Sequence, residues 1–170
     1  TSRIELGRGD AAKARAALVE IVDQLPDHLP ALHALEAFAF DSGSFEGLDS
    51  VELAIARNLD GSTAAGHAML AARVIEQSQG WEKTFEAVQI AAAADPSSTW
   101  ANRNLAAHAR MRGDLYMEIY VLVKFSSLAR LAGGHVEEAS EELTHTIGRW
   151  SRERFSLLHY WEAYGQIECS

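Results

Sequence analysis

Cysteine is nearly absent: only Cys169 occurs, so neither an internal disulfide nor a thiolate metal site can form. Three prolines and twelve glycines in 170 residues exclude a collagen-like or linker-rich chain and disfavour a fold of many short, turn-bounded strands. No apolar run comes near the roughly 20 residues that span a bilayer; Ile90–Ala94 is among the longest. No basic-then-apolar leader opens the sequence. Positive charge is scarce, with 15 Lys and Arg against 24 Asp and Glu, for a net charge of −9. A basic stripe is missing, which excludes the electrostatic footprint of nucleic-acid binding, and an acidic surface is repelled by anionic membrane. These absences predict a cytoplasmic protein that binds neither nucleic acid nor membrane.

Catalytic signatures are missing as well. There is no phosphate loop of the G-x-x-x-x-G-K-S/T kind and no G-x-S-x-G elbow. Gly7-Arg8-Gly9-Asp10-Ala11-Ala12 matches G-x-G-x-x-A, but that fingerprint needs a preceding strand, and none is predicted. Arg-Gly-Asp at 8–10 and again at 112–114 reads as a helix stop followed by a cap. Of seven histidines, His28 and His33 are five apart with Pro30 between them; His135 with Glu138 and His159 with Glu162 each offer two ligands on one helix face. Two ligands do not make a zinc site. The expectation is therefore no catalytic residue, no metal and no cofactor. Glu137, Glu138, Glu141 and Glu142 read as a solvated helix face.

What is present is helical periodicity. At 48% apolar and 23% charged, the composition is that of a folded chain with a core. Ala14, Ala17, Leu18, Ile21, Val22 and Leu25 recur at i, i+3, i+4, i+7, i+8 and i+11, which predicts one apolar helix face over Ala11–Leu25. Asp10 would cap that helix and Pro26 stop it, with Ser2–Arg8 the end of an earlier helix. The same grammar opens at Gly43, Gly80 and Gly113, so the glycines 9, 43, 80 and 113 are spaced by 34, 37 and 33 residues. Second helices are predicted at Pro30–Asp41, Thr63–Ser78 and Thr99–Arg112, with Thr63 and Thr99 as caps. Ala34, Ala37, Ala72 and Ala107 stand where neighbouring helices approach closely. Beyond Gly113, helices are predicted over Asp114–Ala132, stopped by Gly133-Gly134, over Val136–Ile147, ended by Gly148, and over Ser151–Ile167. No strand pattern competes.

Paired helices at this period resemble the tetratricopeptide repeat family. The first unit has Gly9, Ala14, Leu18, Ile21 and Pro26; the second Leu32, Leu35, Gly43, Phe45 and Leu48. The third has Ala72, Gly80, Phe85, Val88 and Asp95-Pro96, and the fourth Trp100, Leu105, Gly113 and Leu115. The likeness covers residues 9–113. The small residue at the family's eighth first-helix position is replaced by Glu36 and Arg73, with only Ala106 small, so the units are degenerate. Residues 112–168 also resemble helical-repeat tails of large bacterial signalling proteins, some serine/threonine kinases among them, through Arg112-Gly113-Asp114-Leu115-Tyr116 and Arg149-Trp150-Ser151 with Phe155 and His159-Tyr160. No His-Arg-Asp or Asp-Phe-Gly triplet comes with that likeness.

The resemblance implies an all-α solenoid of antiparallel helix pairs, one helical-repeat domain over residues 1–170. The partial helix at Ser2–Arg8 and the nearly all-round apolar Ser151–Ser170 suggest a piece of a longer chain, or a last helix buried in a dimer. It also implies a concave groove lined by the first helix of each pair, which binds a peptide or protein segment. Transferred with Gly43, Gly80 and Gly113 as fixed points, the groove positions are His33, Ala37 and Phe40, then His67, Leu70, Val74 and Gln77, then Trp100, Arg103, Asn104, Ala107 and Arg110. Arg103, Asn104 and Arg110 could fork onto a carboxylate or phosphorylated side chain of the partner, or else bond neighbouring helices. The expected function is a non-catalytic protein-interaction module; the alternative is a regulatory or sensor segment of a larger signalling enzyme. The aromatic Phe155, Trp161 and Tyr164, with Leu158, suggest a homodimer through the last helix.

Overall fold

The computed structural model of the chain describes residues 2–131 and 140–152. Among these it is all-helical, with no strand. Seven helices run in order: α1 (Ser2–Gln24), α2 (Leu29–Ser42), α3 (Leu48–Arg57), α4 (Gly61–Gln79), α5 (Phe85–Ala94), α6 (Thr99–Met111) and α7 (Leu115–Leu131), and residues 140–152 are helical too. A 3-10 turn at Trp81–Thr84 leads into α5. No helix among the described residues is long and apolar enough to cross a membrane. The chain divides into two compact units, Thr1–Ala101 and Asn102–Ser170.

In the first unit each helix from α1 to α5 packs on the next in sequence, and α3 also touches α5. The core is made of small side chains. On α4, Ala64, Ala65, Ala68, Ala71, Ala72 and Ile75 are buried at i, i+1, i+4, i+7, i+8 and i+11, the stripe of a helix with neighbours on one broad side. Ala31, Leu32 and Leu35 of α2, Leu48, Ile55 and Ala56 of α3, and Ala87, Val88, Ala91 and Ala92 of α5 close around it. Each methyl buried this way removes apolar area at about 25 cal/mol per Å².

The capping chemistry differs in detail from the sequence expectation. Gly9-Asp10 does not start a helix: α1 runs through both, so there is no break after Arg8. An interior glycine costs a helix only about 1 kcal/mol, too little to stop one. The apolar face expected on α1 is used narrowly, with Leu18 and Val22 half-buried while Ala14, Ala17, Ile21 and Leu25 stay exposed. His28 caps α2, its Nδ1 accepting the Ala31 N–H at 3.1 Å, while Pro30 occupies the first turn as expected. Gly43 closes α2 in the left-handed conformation at φ 67°, where a side chain is disfavoured. Thr63 lies inside α4 rather than capping it. Ser98, not Thr99, caps α6 by accepting the Ala101 N–H at 3.3 Å. Ala72 is buried as a close-approach residue, whereas Ala37 is exposed.

The second unit buries Leu105, Ala106 and Ala109 of α6 and Val121, Leu122 and Phe125 of α7. Asp114 caps α7, its Oδ1 accepting the Met117 N–H at 3.0 Å, as the Gly113-Asp114 pair suggested. Gly148 does not end a helix; residues 140–152 continue through it. The expected stop at Gly133-Gly134 and the aromatic run with Phe155, Leu158, Trp161 and Tyr164 lie outside the described residues, as do the His135–Glu138 and His159–Glu162 pairs.

Candidate functional site

Two polar clusters stand out, one in each unit. The first is assembled by three consecutive helices. Glu52 comes from α3, on the same stripe as Leu48, Ile55 and Ala56, and its side chain is fully buried. His67 comes from the first two turns of α4 and is 17% exposed. Glu36 comes from α2 and is 20% exposed. His67 Nδ1 lies 2.6 Å from Glu52 Oε2 and 3.8 Å from Glu36 Oε1. His33, one turn before Glu36, places its Nδ1 3.0 Å from Glu36 Oε2, and the two imidazole rings are 5.8 Å apart at 55°.

The electrostatics follow from burial. Desolvation pushes the Glu52 carboxyl above the usual carboxylate range. The hydrogen bond from His67 pulls it back, and the like charge of Glu36 pushes it up again. Glu52 Oε1 is buried and has no hydrogen-bond partner among the described residues. A buried carboxylate oxygen left unpaired is costly, by about 1–3 kcal/mol or more for a charged group. One donor atom each from Glu36, Glu52 and His67 falls within 4.8 Å of the others, a spacing suited to a metal ion.

The second cluster surrounds Glu118, a fully buried residue of α7 on the stripe of Val121, Leu122 and Phe125. Arg110 donates to Glu118 Oε1 at 2.7–2.8 Å, Arg149 donates to Oε2, and the Thr146 hydroxyl donates to Oε1 at 3.2 Å. Burial opposes the Arg110 charge, but the hydrogen bonds to Glu118 and Glu142 outweigh it and raise its pKa further. Glu142 also takes Arg110 at 3.3 Å and stands 3.7 Å from Arg103. A shallow depression of about 570 Å³, lined by Arg103, Arg110, Glu141, Glu142 and His145, lies over these groups. Every carboxylate oxygen of Glu118 is matched by a donor, so the cluster is a closed structural network.

The groove positions read from the repeat register thus divide. His33 and His67 meet in the first cluster. Trp100 and Asn104 are half-buried, each with bonding or ring contacts inside the protein. Arg103 and Arg110 face carboxylates of their own unit. Glu52 and Glu118 were missed, although the sequence does mark both: each is an acid on an otherwise apolar helix stripe. In the sequence Glu36 stands out only as a departure from the small residue of the repeat. Comparison with family models, characterised proteins and solved structures gives no match.

Proposed function

We propose that this chain is a non-catalytic protein-interaction module whose helix hairpins stack as a solenoid and whose α2/α4 surface receives a peptide. The supporting observation is the adjacency of His33 and His67. The repeat register assigns them to one groove from positions 34 residues apart in sequence, and their rings lie 5.8 Å from each other. On α2 the rest of that surface is uncovered: Ala37 and Phe40 follow His33 at i+4 and i+7 and are exposed, while Leu32 and Leu35 point into the core. Phe40 is 50% exposed and meets Phe45 edge-on with centroids 6.0 Å apart. Half-buried Leu70 and Val74 continue the surface along α4.

The chemistry of the partner follows from charge. The first hundred residues hold 7 basic and 15 acidic side chains, and Glu36 faces the same surface. A peptide with one apolar side chain for the Phe40–Phe45 edge and a flanking Lys or Arg fits best. Selection from a random peptide display library, followed by amide shift mapping, tests this. The reading expects enriched peptides that shift α2 and α4 resonances and lose binding with Phe40→Asp. Peptides that map elsewhere, or no enrichment at all, contradict it.

A further inference from the structure

We propose that Glu36, Glu52 and His67 form a binding site for one divalent first-row transition-metal ion, with His33 holding Glu36 in place. Five observations on the cluster support it. The donor set is two carboxylates and one imidazole, which suits zinc and its neighbours. A tetrahedral ion with ligands at about 2.0–2.1 Å keeps its donor atoms about 3.3 Å apart. The separations of 2.6 Å from His67 Nδ1 to Glu52 and 3.8 Å to Glu36 straddle that value. All three donor atoms already lie within 4.8 Å of one another, so the ion would draw them together from short range.

The buried Glu52 carboxylate supplies the strongest argument. Its side chain is fully buried, and Oε1 has no hydrogen-bond partner among the described residues. Structural carboxylates deep in a helical unit are normally saturated, as Glu118 is by Arg110, Arg149 and Thr146. Glu52 has one histidine and a second acid instead, an arrangement that a cation completes. The outer layer is also in place. His33 Nδ1 bonds Glu36 Oε2, leaving Oε1 turned toward His67, the kind of support that fixes a ligating group. The ion has a way in, because Glu36 and His67 are both partly exposed while Glu52 forms the floor.

On binding, the ion replaces the proton shared by His67 Nδ1 and the Glu52 carboxyl. That proton passes to solvent, and the imidazole keeps its other proton on Nε2. Two carboxylates then neutralise the two positive charges, and water fills the remaining position from the solvent side. Magnesium and calcium, which prefer all-oxygen shells, are not expected to compete at equal concentration.

The test is calorimetric titration of the metal-free full chain with Zn²⁺ alone, alongside imidazole NMR. The expected result is one ion per chain, with affinity reduced at least about a hundredfold in Glu52→Gln and in His67→Ala. His33→Ala should fall by about ten- to a hundredfold, the range for a supporting residue. His28→Ala, which alters only the α2 cap, retains the site. Circular dichroism verifies that each variant is folded. If one is not, the unmutated chain still decides: Zn²⁺ must shift the His67 and His33 ring signals at one equivalent. No zinc uptake by the unmutated chain, zinc uptake unaffected by Glu52→Gln and His67→Ala, or ring shifts confined to other histidines would each overturn the proposal.

Discussion

Glu52 and His67 share a 2.6 Å hydrogen bond through Oε2 and Nδ1, while the other oxygen of that buried carboxyl has no partner among the described residues. The pair therefore sets a pH dependence. Burial raises the folded Glu52 pKa, against the pull of His67 from α4 and with the push of Glu36 from α2, whose other oxygen His33 holds. A raised folded pKa means the native chain keeps a proton that the unfolded chain has lost. The associated stability is full below the usual glutamate range and declines as pH rises through the raised value. With metal chelated, urea unfolding across mildly acidic to neutral pH should show the unmutated chain losing stability relative to Glu52→Gln. The slope is at most about 1.4 kcal/mol per pH unit, the limit for one proton. Parallel curves for the two proteins contradict this.

Glu118 behaves differently, because it is saturated. Removing it as Glu118→Ala leaves Arg110 and Arg149 without their shared buried anion. Arg110 and Arg149 are 40% and 28% exposed and Arg110 keeps Glu142, so the loss falls below the roughly 3–5 kcal/mol of a fully buried pair yet above that of a surface pair. Glu86→Gln, which breaks the exposed Arg57–Glu86 pair, should cost about 0–1 kcal/mol. Urea midpoints compare the two; similar losses would mean that the Glu118 network adds nothing beyond a surface pair.

Two glycines should respond with opposite signs. Gly43 sits at φ 67° with nothing within 4 Å of an added Cβ, so Gly43→Ala meets no clash and costs only the backbone strain, about 1–2 kcal/mol. Gly66 lies exposed inside α4 with equal space around it. Gly66→Ala should stabilise by about 0.5–1 kcal/mol through helix propensity. A melting temperature raised by Gly43→Ala would refute the assignment of Gly43 as a left-handed cap, and one lowered by Gly66→Ala would refute the gain in helix propensity.

Phe40→Ala separates binding from folding. The side chain is 50% exposed and contacts Phe45 at the surface, so its removal should change stability by about 1 kcal/mol or less. Affinity for a selected peptide should fall by at least about tenfold, as truncation of an aromatic anchor does. Unchanged peptide affinity would move the binding surface away from α2.

The helices were legible in the sequence because periodicity and terminators agreed. Pro26, Pro30, Gly43 and Asp114 each fall where a helix starts or stops. Gly9 and Gly148 misled, since an interior glycine costs a helix only about 1 kcal/mol and both helices continue through it. The site was less legible. Histidine spacing reveals only ligands on one helix, whereas Glu36, Glu52 and His67 come from three, and sequence spacing says nothing about which turns of packed helices face each other. The visible signal was local contradiction, an acid on an apolar stripe at Glu52 and again at Glu118. The sequence could not tell that one of these acids would be neutralised by arginines and the other not.

Diffraction from crystals grown with Zn²⁺, recorded on both sides of the zinc absorption edge, tests the central claim most directly. The account predicts an anomalous peak at about 2.0–2.2 Å from Glu36, Glu52 and His67 donor atoms. A peak found only at other histidines, or a map without one in this cluster, would contradict it.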